Sequence, residues 1–176
     1  MKRKELEHII RASGKIIEEK EFYVIGSQSI LGQYPDAPPE LLVSNEADII
    51  CKIDPDKSDI VEGAIGEYSD FHETYGYYAQ GVGFETAILP DNWEVRCIAI
   101  ENENTDGCIA YCVELHDTCI GKYVAGRLKD YQYIIECINH NLIKKETLLE
   151  RLHVTNINSE QRKIIEEKIN RDFNQK

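Results

Sequence analysis

No apolar run in this sequence is longer than six residues (Cys108–Val113), and the spacing of the runs changes twice along the chain. A membrane-spanning helix needs about 20 consecutive apolar residues, so none is expected. Over residues 3–20, Leu6, Ile9, Ile10, Ser13, Ile16 and Ile17 fall at three- and four-residue steps, which predicts an amphipathic helix. Short β-type runs separated by Gly, Pro and Asp then dominate as far as residue 113. From residue 114 helical spacing returns and persists to the end.

The individual elements follow. Phe22–Ile25 reads as a strand ending at Gly26, with a short helix over 27–31 that Ser27 can cap. Pro35, Pro38 and Pro39 make 33–40 a connection. Ala47–Ile53 reads as a strand stopped by Asp54-Pro55. Residues 56–68 read as a helix with Ile60, Val61, Ala64 and Ile65 on one side, and the aromatic stretch 67–80 as helix and turn. Val82–Leu89 reads as a further strand. Trp93–Ile100 and Cys108–Val113 read as a hairpin joined through the polar turn 102–107. Helices are expected over 115–123, 128–143, 147–152 and 161–173. The fold class is α/β (α+β): a small mixed sheet flanked by helices, with residues 1–113 as the core and 114–176 as a helical part packed on it.

At 176 residues the chain can bury about two-thirds of its unfolded surface and needs no disulfide or metal staple. Its net charge of −12 is unevenly placed. Residues 36–117 carry 19 acidic and 3 basic side chains, a net of −16, whereas 118–176 carry 8 and 11, a net of +3. The acidic middle should repel nucleic-acid backbones and attract divalent cations. Met1-Lys2-Arg3-Lys4-Glu5 leads into the first helix with no apolar signal core, so a cytoplasmic location is expected. The six cysteines include no CxxC pair and read as reduced thiols. Cys108, Cys112 and His116 would make a zinc cluster only on one helix, and Ile109–Val113 has strand character instead.

Two features point to chemistry. A strand running into Gly26-Ser27 and then a helix offers backbone N–H groups to a phosphate. Glu46 and Asp48, at i and i+2 on a strand, share one side and can hold a hard cation such as Mg²⁺. A third acid is expected on a neighbouring strand. Glu85, placed between Phe84 and Thr86, is the first choice, with Glu94 and Glu101 as rivals. Gly81-Val82-Gly83 precedes a strand rather than following one, so it is no dinucleotide fingerprint. Arg151-Leu152-His153 lacks the spacing of helical ribonucleases.

The ordered set Val24-Ile25-Gly26-Ser27, Glu46-Ala47-Asp48-Ile49 and a later acid resembles the nucleotidyltransferase superfamily of the DNA polymerase β type. Leu89–Arg96 and Lys122-Tyr123-Val124-Ala125-Gly126-Arg127-Leu128-Lys129-Asp130 are similar to stretches of small bacterial members related to abortive-infection toxins. The resemblance implies Mg²⁺-dependent transfer of a nucleotidyl group from an NTP to a hydroxyl acceptor on a protein, an RNA or a small molecule. It implies metal-binding and catalytic roles for Glu46, Asp48 and Glu85. Gly26, Ser27, Lys122, Arg127 and Lys129 would contact the nucleotide, although Arg127 can equally pair with Asp130. Trp93 and Arg96 read as packing and salt-bridge residues. The alternative is a catalytically inactive module of the same fold that binds a protein partner in a toxin–antitoxin or defence pair.

Overall fold

A computed structural model describes residues 1–174; Gln175 and Lys176, the end of the expected helical part, lie outside the described residues. The first helix, α1 (Arg3–Ile17), precedes β1 (Glu21–Ile25). A 3-10 turn at Ser27–Ser29 leads into the short α2 (Ile30–Gln33), and β2 (Glu46–Cys51) follows the proline-rich connection. Next come α3 (Ser58–Ile65), α4 (Asp70–Tyr75) and β3 (Tyr78–Gly81). The hairpin strands are β4 (Ile98–Ile100) and β5 (Ile109–Cys112). Four helices complete the described chain: α5 (Leu115–Ala125), α6 (Leu128–Asn139), α7 (Lys145–His153) and α8 (Ser159–Asn174). Among the described residues no helix is long and apolar enough to cross a membrane.

The five strands form one mixed sheet in the order β3-β2-β1-β5-β4. The central β1 runs antiparallel to β2, with Ile25 opposite Asp48, and parallel to β5. The outer pairs are β2 with β3, parallel, and β4 with β5, antiparallel. The α+β class and the hairpin therefore match the sequence reading.

Alternation divides the sheet into two faces. Phe22 and Val24, Ala47, Ile49 and Cys51, and Ala110 and Cys112 belong to the main core, which also contains Leu6, Ile9 and Ile10 of α1. Leu115, Ile120, Ile134 and Leu148 of the C-terminal helices join the same core. Each fully buried Ile, Leu or Phe contributes roughly 1.5–3 kcal/mol relative to exposure. The opposite face carries a smaller apolar cluster of Tyr23, Ile25, Ile50 and Val113, covered by Val82, Ala87, Leu89 and Trp93. Glu46 and Asp48 share the side of Ile50, because side chains two apart on a strand point the same way.

The stretch 78–97 departs most from expectation. The strand lies at Tyr78–Gly81, inside the segment read as helix and turn, and the expected strand at Val82–Leu89 does not form. Its last ladder bond is Val82 N–H to Ile49 C=O, at 3.0 Å. Phe84–Thr86 is then a 3-10 turn. The alternating apolar residues Val82, Ala87 and Leu89 cover the smaller cluster instead of joining the sheet, so their period misled. Trp93–Arg96 is likewise a 3-10 turn, leaving β4 only three residues. The helix expected over 56–68 is confined to α3, which buries Val61 and Ile65 but leaves Ile60 and Ala64 exposed.

Gly81 lets β3 approach α3 closely: a Cβ there would lie 2.1 Å from the backbone oxygen of Ser58. The nearest atoms that a Cβ on Gly83 would meet belong to the flexible Glu85 carboxylate. Gly81→Ala is expected to destabilise by about 1–3 kcal/mol, whereas Gly83→Ala should stay within about 0.5 kcal/mol of wild type. Urea denaturation monitored by circular dichroism reads both.

Candidate active site

The site is built where β1 ends. Gly26 has φ 68°, a left-handed conformation that costs glycine little. Its missing side chain matters more. A Cβ at Gly26 would lie 2.0 Å from Asp48 Oδ2, so a side chain there would force the Asp48 carboxylate to swing away from the turn. The turn is tied down by Ser29, whose hydroxyl donates to Gly26 C=O at 2.8 Å and shares a 2.9 Å hydrogen bond with the Thr118 hydroxyl. One helical turn along α5, Lys122 Nζ donates to Ser27 Oγ at 2.9 Å. Tyr133 of α6 donates its hydroxyl to Ser27 C=O at 3.0 Å.

Lys122 is the buried cation of the site. Its ammonium lies 3.2 Å from Asp130 Oδ1 and 4.4 Å from the centroid of the Tyr133 ring. Asp130 is fully buried and also accepts from Arg127 Nε at 2.6 Å. Burial alone would raise the Asp130 carboxyl, but the bonds from Arg127 and Lys122 outweigh it and hold it below the usual carboxylate range. The Arg127–Asp130 pairing expected as the surface alternative is therefore real, although its acid is buried.

Glu46 and Asp48 face the same cavity, of about 520 Å³, as Gly26, Ser27, Lys122 and Lys129. Burial, reinforced by the neighbouring Glu46, pushes the Asp48 carboxyl up to about 7. Glu46 Oε2 accepts from the Tyr78 hydroxyl at 3.1 Å, and burial and that carboxylate push the Tyr78 phenol up to about 12. The parallel register places Tyr78 directly across from Glu46. All seven non-Glu85 residues expected at the site thus line one cavity: Gly26, Ser27, Glu46, Asp48, Lys122, Arg127 and Lys129.

Glu85 stands apart. It is exposed on the 3-10 turn and not in a strand, because the chain has left the sheet at Gly81. It lines an adjoining cavity of about 350 Å³ that also touches Asp48. Glu94 is exposed on the Trp93–Arg96 turn, and Glu101 is exposed beyond β4. Among the described residues no three His, Cys, Asp or Glu side chains are grouped to hold a metal ion. The Cys108–Cys112–His116 arrangement is not helical either. Cys112 ends β5, and His116 Nδ1 lies 2.7 Å from Glu114 Oε1 while Nε2 accepts from Lys144 N–H.

Sequence reasoning missed Tyr78, Thr118 and Tyr133. Tyr78 requires knowing the β2–β3 pairing. Thr118 and Lys122 lie four residues apart, a spacing that would have paired them on one helix face. Arg96 and Trp93 behave as expected: Arg96 Nε lies 2.7 Å from buried Asp117, and Trp93 packs on Tyr23 with ring centroids 4.9 Å apart.

A sequence-family model described as "Nucleotidyltransferase of unknown function (DUF6036)" matches residues 4–176. No curated protein and no solved structure matches the chain.

The raised Asp48 carboxyl has a thermodynamic consequence. The unfolded chain ionises near the ordinary aspartate value, the folded one near 7, so the fold loses stability as pH rises between them. Asp48→Asn removes that loss. In metal-free buffer the variant should match wild type near pH 4 and exceed it by roughly 2–4 kcal/mol at pH 8, as read by urea denaturation at each pH.

Proposed function

The chain belongs to the nucleotidyltransferase family DUF6036, and on that premise we propose that it moves a nucleotidyl group from an NTP to a hydroxyl acceptor, with Mg²⁺ held by Glu46 and Asp48. The observation that carries the reading is the convergence of these two carboxylates with Ser27, Lys122 and Lys129 on one cavity. The donor set suits a hard divalent cation. Two carboxylates lie at i and i+2 on one strand, and a bound cation would offset both the burial of Asp48 and the charge of Glu46 beside it, which together raise the Asp48 carboxyl.

Mg²⁺ bound there would neutralise the triphosphate and favour in-line attack at the α-phosphate. The chain's own residues do the rest. Lys122, held in place by Asp130 and Ser27, presents a fixed ammonium to the outer phosphates. Lys129 and Arg127 add charge at the mouth of the cavity. Gly26 and Ser27 let phosphate oxygens approach the backbone without meeting a side chain larger than a hydroxyl.

A second reading rests on Glu85 lying off the sheet and on the lack of a third grouped carboxylate among the described residues. In it the fold holds a protein partner, of the toxin–antitoxin or defence kind, without turnover.

Calorimetric titration of the four NTPs, with and without Mg²⁺, tests the first reading. Wild type is expected to bind at least one NTP only with Mg²⁺, and Asp48→Ala to lose that binding. Lys122→Met should weaken it by about tenfold or more, the scale of one charge-assisted hydrogen bond. Below pH 7 binding should release up to about one proton, because Asp48 must ionise. Titrations in buffers of different ionisation enthalpy measure that release. No NTP binding by folded protein would favour the partner-binding reading.

A further inference from the structure

Asp48 and Gly26 form part of a wall between two cavities. The larger contains Ser27, Glu46 and Lys129, and the smaller contains Glu85, Ile88, Leu89, Val124 and Ala125. Gly26, Asp48, Thr86, Lys122 and Arg127 line both. A reaction between two bound molecules across Asp48 needs this arrangement: one chamber for each, meeting at the reacting phosphorus.

The two chambers differ in chemistry. Lys129 serves only the larger. The cations that reach the smaller, Lys122 and Arg127, are both bonded to Asp130. The smaller chamber's own charge is the Glu85 carboxylate, which has no ion pair among the described residues and stands exposed at the rim. Aliphatic wall comes from Ile88, Leu89, Val124 and Ala125, beside the polar Thr86, Thr118 and Gln161. Lys122 and Arg127 both also line the larger chamber and serve the NTP phosphates there, so a nucleic-acid phosphate in the smaller one would compete with the NTP for the same two cations and would face the Glu85 carboxylate. At about 350 Å³ the chamber is at the small end of the range for small-molecule sites, about 300–1,000 Å³.

Resting on the nucleotidyl-transfer reading, we propose that the smaller chamber is the acceptor site and that its occupant is a compact amino alcohol. The apolar body lies against Ile88, Leu89 and Val124, the ammonium faces Glu85, and the hydroxyl reaches the Asp48 wall. In the transfer, the acceptor oxygen bonds to the α-phosphorus of the NTP. The bond from that phosphorus to the bridging oxygen breaks, pyrophosphate leaves with the electron pair, and the hydroxyl proton passes to water at the open rim.

The test uses full-length protein with α-labelled NTPs. The probes are 3-amino-1-propanol and 6-amino-1-hexanol, the uncharged 1-hexanol, and a short RNA with a free 3′ hydroxyl. Mass spectrometry is expected to find the nucleotidylated amino alcohols. Ala125→Trp and Ile88→Trp, two exposed positions that fill only the smaller chamber, should raise the amino-alcohol KM tenfold or more. NTP affinity by calorimetry should stay within twofold. Glu85→Gln should raise KM for 6-amino-1-hexanol and leave that for 1-hexanol unchanged. Wild type that binds NTP but labels only RNA or protein, or labels none of the probes, overturns the acceptor assignment alone. Amino-alcohol transfer unaffected by both filling variants overturns it too. Absence of NTP binding in wild type overturns the transferase reading, and the acceptor chamber with it.

Discussion

The site depends on the antiparallel register of the two central strands, which sets Ile25 opposite Asp48. That pairing brings Gly26, the next residue, so close to the Asp48 carboxylate that a Cβ there would displace it. It also decides which face the acids occupy. A slip of one residue would turn Glu46 and Asp48 into the main core and Ala47 and Ile49 out of it. Burial of Ala47, Ile49 and Cys51 beneath α1 and α3 opposes such a slip, so packing on one face guarantees the placement of the acids on the other.

The second anchor is α5. Thr118 and Lys122 hold the turn after β1 at two points one helical turn apart, and Asp130 and Tyr133 of α6 hold Lys122 in turn. The division of charge along the chain thereby becomes a division across a cavity. Acids from the −16 middle segment form the sheet wall, and cations from the +3 C-terminal segment form the helical wall. The cations do not cancel the acids. Burial, with Glu46 beside it, holds the Asp48 carboxyl high against the pull of Lys122 and Lys129.

Much of this was legible in the sequence. The helices of both ends, the strands around Val24, Ile49 and Ala110, and the hairpin turn were legible in the spacing of their apolar residues and in the polar, Gly and Pro residues between them. The Glu46–Asp48 pair was legible because two acids alternating with apolar residues on a strand must share a side. The segment from Tyr78 to Arg96 was not. There the apolar residues are selected to cover a small cluster on the sheet's second face, and that demand imitates the alternation of a strand without its ladder of hydrogen bonds. The misplacement of Glu85 follows from that imitation.

Outside residues 78–96 the sequence by itself determined most local conformations and the sides on which charges and apolar residues lie, since those follow from spacing and from the chirality of the backbone. Only the tertiary structure decided which strands are neighbours, that Lys122 would be buried between Ser27 and Asp130, and that Tyr78 would meet Glu46. It also decided that Glu85 would face a second cavity beyond the sheet. These are contacts between residues tens of positions apart. They are set by how the layers fill space together, a condition that no local window of sequence contains.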